Sequence, residues 1–125
     1  MKFQAERMEG IQLITGYGPG WLAVNKQEHR SSLLIGSGGL LQPWACQRFG
    51  DISAAQLETL AAQCQDVEVL LLGSGRRLQF VHPGWLQPFM QRRIGVETMD
   101  TPAALRTYNV LVMEGRNVLA ALVLE

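Results

Sequence analysis

The sequence predicts an α/β fold of three layers with a mixed central β-sheet. Three patterns carry that expectation. Val67 to Leu72 and Val118 to Leu124 are near-continuous apolar runs, the pattern of strands covered on both faces. Segments of helical periodicity lie between them. The first half instead holds short apolar runs divided by Gly and Pro, as antiparallel hairpins do. Helices between buried strands imply a sheet with helices packed on it, and the hairpins add an antiparallel layer.

In chain order, Ile11 to Thr15 and Trp21 to Val24 are the first strands, separated by Gly16-Tyr17-Gly18-Pro19-Gly20. Glycine accepts positive φ and proline presets φ, so this cluster reads as a turn. Ser31 to Ile35 is a third strand, closed by Gly36-Ser37-Gly38-Gly39, with a shorter fourth around Leu40 to Pro43. Ser53 opens a helix, because its hydroxyl can cap and Gln56 three residues on can reach back. Leu57, Leu60, Ala61 and Cys64 then recur at i, i+3, i+4 and i+7 and share one face. The buried run that follows ends at Gly73-Ser74-Gly75.

Trp85 to Ile94 reads as helical, with Pro88 tolerable near its first turn. Val96 to Met99 is a brief strand. Thr101-Pro102 starts the last helix, since proline at the first helical position loses only an N–H that had no partner. That helix runs to about Glu114, and Gly115 stands where a left-handed terminator belongs. No repeat, low-complexity tract or linker interrupts residues 1–125, so one domain is expected.

Composition narrows the function. The chain has 125 residues, 47% hydrophobic and 18% charged, enough apolar material for one core. Eleven basic and eleven acidic residues cancel. Proteins that live on phosphate backbones carry a basic excess, so general nucleic-acid binding is not expected. Cys46 and Cys64 lack CxxC spacing and have no His at ligand spacing, which favours two buried thiols. Met1 to Arg7 contains Glu6 and polar residues where a signal peptide needs an apolar stretch. No apolar run approaches the roughly 20 residues that cross a bilayer. The expectation is a cytoplasmic protein without membrane insertion.

No catalytic constellation emerges. GxxxxGK[ST] is missing, as is any Gly-Lys pair, and GxGxxG fails at Trp21 and at Leu78. A GxSxG elbow fails at Ser74, where Leu72 stands in place of the first Gly, and at Ser37, where Ile35 does. With His29 and His82 alone, a site of several imidazoles is impossible, and His82-Pro83-Gly84 reads as a capping loop. No cofactor is implied. Two features stand out. Gly73-Ser74-Gly75-Arg76-Arg77 follows a buried strand, where α/β sheets often bind ligands, and reads either as an anion cradle or as a tight turn with solvated arginines. Arg106 and Asn109 lie three apart beside the apolar stripe of the last helix, with Arg116 just past its end. Asn is a mediocre helix residue, so Asn109 implies a specific partner: a nearby loop such as the Gly73 bend, or a polar pocket or partner surface. Trp21, Trp44 and Trp85 each follow Gly or Pro and are expected to plug the edge of the core.

The block Thr101-Pro102-Ala103-Ala104-Leu105-Arg106-Thr107-Tyr108-Asn109-Val110-Leu111, then Glu114-Gly115-Arg116, resembles the signature of the Mth-type domain family, a domain of unknown function (DUF498-like). The likeness continues through Val69 to Gly75, Gly95-Val96-Glu97 and the Tyr17 to Asn25 hairpin, nearly the whole chain. The family includes the adipogenesis-associated Mth-domain protein and mitochondrial complex I assembly factor 3. The resemblance implies a three-layer β/β/α-type fold with a mixed central sheet. It implies no established enzymatic activity, and in the mitochondrial member an assembly role exercised by binding other proteins. Without a mitochondrial presequence, a prokaryotic setting is expected here.

Two functions follow as expectations. The first is a non-catalytic protein-interaction or assembly-accessory factor with a protein partner. The second is a small-molecule or anion-binding protein, or an enzyme, using the Gly73 to Arg77 turn with Arg106 and Asn109; Gly73, Ser74, Gly75, Arg76, Arg106, Asn109 and Arg116 form the candidate ligand or partner surface. A homodimer is a third reading. No metal site is expected.

Overall fold

The computed structural model describes residues 10–125. The reading of Met1 to Arg7 lies outside the described residues. Strands β1 (Ile14–Gly18), β2 (Trp21–Val24) and β3 (Gln27–His29) form an antiparallel meander. Five more strands form a second sheet: β4 (Leu33–Gly36), β5 (Leu41–Pro43), β6 (Val69–Gly73), β7 (Gly95–Met99) and β8 (Val118–Leu122). Its order is β5-β4-β8-β6-β7, antiparallel across β5-β4-β8 and parallel across β8-β6-β7. The sheet is mixed, as expected.

Alternation along the central strands divides the core. Leu33, Ile35, Leu71, Val118, Ala120 and Leu122 face one side, where they meet Ile14, Leu22 and Val24 of the meander. Ala104, Leu105, Tyr108 and Val112 join them from helix α3 (Thr101–Met113). Leu34, Leu70, Leu72, Leu119, Ala121 and Val123 face the other side. Helix α1 (Ala54–Ala62) covers that side with Leu57, Leu60 and Ala61. Phe89 of helix α2 (Gln87–Gln91) and Trp44 complete it. Three layers result.

Local signals account for the helix ends. Ser53 caps α1, its hydroxyl accepting from Gln56 N at 3.2 Å. The cap of α3 is Asp100, whose Oδ1 accepts from Ala103 N at 2.9 Å, one residue before the Thr101 start. At the other end Gly115 has φ +81, Gly115 N donates to Val112 O and Arg116 N to Leu111 O. These two bonds define a Schellman motif, which needs a left-handed residue. Gly115→Ala is therefore expected to cost about 1 kcal/mol, measured as a drop in the denaturation midpoint at unchanged m-value.

The structure departs from the sequence reading in three places. Gly16 to Gly18 belong to β1, and the turn is only Pro19-Gly20, with Gly20 at φ +75 as a two-residue turn with proline first requires. A strand absent from the reading, β3, follows Asn25-Lys26, both at positive φ, which is the primed hairpin turn. Trp85 to Ile94 is not one helix: a 3₁₀ turn at Pro83–Leu86 precedes the short α2. The His82 ring starts that turn, its Nδ1 accepting from Gly84 N at 3.0 Å.

Cys46 and Cys64 are both buried and free. Burial pushes the Cys64 thiol up from 9.0 to about 11, opposed by the charge of Arg92. Burial also raises Cys46, with Asp51 adding to it. Both thiols are expected to resist iodoacetamide at neutral pH until the protein unfolds, a mass shift that counts labelled sites. A raised native pKa means that the unfolded state loses its proton first. Stability from Cys64 is therefore whole below pH 9 and falls as pH rises toward 11.

Candidate functional site

The C-terminal ends of β6 and β7, the start of α3 and the segment after β8 converge at one place. Thr101, 4% exposed, joins them: its Oγ1 donates to Val123 O at 2.6 Å and accepts from Gly75 N at 2.8 Å. Thr101 N donates to Gly75 O, and Val123 N to Gly73 O. Ser74 is fully buried, its N donating to Met99 O. Its hydroxyl donates to Arg77 O at 2.7 Å and accepts from Gln79 N at 3.1 Å. Both amides at 74 and 75 are thus spent internally. The bend is a clasp.

The β1–β2 hairpin rises beside this junction, and a cavity of about 390 Å³ lies between them. Tyr17 to Trp21 form one wall, Gly75 and Arg76 a second. Thr101, Pro102 and Leu105 supply the floor from α3, and Val123 to Glu125 close it. The Trp21 indole lies across Gly16 and Gly18, whose missing side chains leave it room. Glu125 packs over Gly75, its Oε2 accepting from Phe49 N at 3.0 Å.

The residues singled out from the sequence separate into distinct places. Gly75 and Arg76 line the cavity, with Gly73 and Ser74 buried behind them. Arg106 is exposed, and its Nη1 donates to the Tyr17 hydroxyl at 2.8 Å, so it stands at the hairpin wall. Asn109 faces β1: its Oδ1 accepts from Ile14 N at 2.8 Å and its Nδ2 donates to Ile14 O at 2.7 Å. Its partner is the meander rather than the Gly73 bend. Arg116 lies at the far end of the strand that ends at Gly73, its Nε 3.1 Å from Glu68 Oε1. The Asn117 amide and then Arg116 hold the Glu68 carboxyl below its ordinary range. Glu68 stands five residues before Gly73, roughly 16 Å along an extended chain at 3.3 Å per residue.

Tyr17, Thr101, Pro102 and Leu105 were not among the sequence candidates for this site. Thr101 carried a signal only as a helix start, and Tyr17 only as part of a turn. Trp44 plugs the core as expected, whereas Trp21 is part-exposed and forms cavity wall. Among the described residues no group of three or more His, Cys, Asp or Glu is placed to hold a metal ion. No described helix is long and apolar enough to cross a membrane.

A mixed sheet bearing a meander and a long helix on one face, and shorter helices on the other, defines a three-layer Mth-like α/β protein. The family profile described as "Protein of unknown function (DUF498/DUF598)" matches residues 14–123, and the chain belongs to that family. The resemblance carried by the Arg-Thr-Tyr-Asn block is borne out. An uncharacterized protein of Rhodobacter capsulatus is 38% identical over 113 residues, covering 90% of this chain and 85% of that protein. NADH dehydrogenase [ubiquinone] 1 alpha subcomplex assembly factor 3 of Danio rerio is 32% identical over 111 residues. That match covers 89% of this chain but only 63% of the fish protein. A crystal structure of a Bordetella parapertussis protein superimposes with a TM-score of 0.85 at 38% identity, covering 92% of this chain and 97% of that one.

Proposed function

We propose that this protein is a non-catalytic accessory factor that works by binding another protein. The observation that carries the reading is the loop after the glycine bend. The buried Ser74 hydroxyl grips Arg77 O and Gln79 N, and Leu78 and Phe80 on either side of Gln79 remain 52% and 68% exposed. A loop pinned from beneath and carrying two large apolar side chains into water loses hydrophobic free energy unless something covers them. The relationship to assembly factors supports the same reading.

The test is affinity capture from a native extract with the wild type and with Leu78→Ser/Phe80→Ser. Both positions are exposed, so the double variant is expected to keep the wild-type stability. The expected result is a stoichiometric partner recovered by the wild type and lost by the variant. Recovery that ignores the double substitution, or no partner under gentle conditions, overturns the reading. Light scattering over a range of concentrations identifies the case in which the partner is a second copy of the chain.

A further inference from the structure

We infer that the cavity between the β1–β2 hairpin and the glycine bend binds a small organic monocarboxylate with an apolar body. This site is separate from the Leu78–Phe80 loop and goes beyond the accessory role. Its volume of about 390 Å³ falls within the roughly 300–1,000 Å³ of small-molecule sites. Trp21, Pro102, Leu105, Val123 and Leu124 give it an apolar interior. An aromatic or branched aliphatic body gains by leaving water for such walls.

The charge preference follows from which donors are already used. At the start of α3, Thr101 N donates to Gly75 O, Pro102 has no N–H, and Ala103 N and Ala104 N both go to Asp100. Gly75 N is taken by Thr101 Oγ1. The backbone therefore offers this cavity no free amide at those positions, and recognition of an anion falls to side chains. Arg76 lines the cavity and has no ion-pair partner among the described residues. The Tyr17 hydroxyl accepts from Arg106, which leaves its own proton for an acceptor. A guanidinium fork and a phenol suit one carboxylate. Glu125 lines the same cavity, and its charge opposes every acidic group on the ligand; Arg76 can offset that for one carboxylate, and a second has no further cation to meet.

Titrating the ¹⁵N-labelled protein with 3-phenylpropionate, 3-phenylpropionamide and acetate tests this. The expected result is saturable movement of the Trp21, Gly75 and Leu105 resonances with 3-phenylpropionate. Binding of the amide is expected to be roughly tenfold weaker, the worth of one charge-assisted hydrogen bond. Acetate, lacking the body, is expected not to saturate. Arg76→Gln changes an exposed residue and is expected to make acid and amide bind alike, while Leu78→Ser/Phe80→Ser leaves both unchanged. The inference fails if 3-phenylpropionate moves none of those resonances, if the amide binds as well as the acid, or if Arg76→Gln preserves the preference.

Discussion

Replacing Thr101 with valine is expected to lower the unfolding free energy by about 2–6 kcal/mol, as two buried partners lose their hydrogen bonds at about 1–3 kcal/mol each. Valine keeps nearly the same shape, so packing changes little. What disappears is the oxygen that donates to Val123 O and accepts from Gly75 N at a site only 4% exposed. Thr101→Ser keeps that oxygen and loses one methyl, a cost of about 1 kcal/mol. Urea denaturation of the three proteins checks the order: wild type, then serine, then valine by a wide margin. A valine midpoint close to that of the wild type, above that of serine, would mean that the methyl, not the hydroxyl, holds the junction.

Asn109→Ala is expected to cost about 2–3 kcal/mol, because it removes both bonds to the backbone of Ile14 and leaves part-buried groups without partners. Asn109→Asp separates hydrogen bonding from bulk. A carboxylate still accepts from Ile14 N but faces Ile14 O with no proton to give, so a loss above half that of alanine is expected. The local signature is faster amide exchange at Ile14, with the exchange of Leu70 to Leu72 in the central sheet slowed or hastened only as far as global stability changes. If Asn109→Ala leaves stability untouched, the side chain is free for a ligand and does not tie α3 to the meander.

These two residues mark where sequence reading reached its limit. Asn109 stood out because a helix interior disfavours Asn, so the need for a partner was legible. The partner was not, since Ile14 lies ninety-five residues away. Thr101 was visible only as the start of a helix, because its acceptor Val123 and donor Gly75 meet it only after β6 and β8 pair. Strand β3 escaped for another reason. Gln27, Glu28 and His29 form a polar edge strand without apolar alternation, and only its pairing with β2 makes it a strand.

Sequence alone determined the features that rest on neighbours within a turn or two of the chain. Leu57, Leu60 and Ala61 recur at the pitch of a helix and are buried in α1, while Cys64 is buried too but stands past the end of the helix at Ala62. Val69 to Leu72 have no polar alternation, and they form an inner strand of the sheet, between β8 and β7. Gly115 closes α3 as its position required. Tertiary structure alone decided the site. It carried Arg106 to the hairpin, Asn109 to β1 and Arg116 to the far end of β6, though one short segment encodes all three. Side chains on a helix point in directions that its own periodicity sets, but what they meet depends on strands paired across the whole chain.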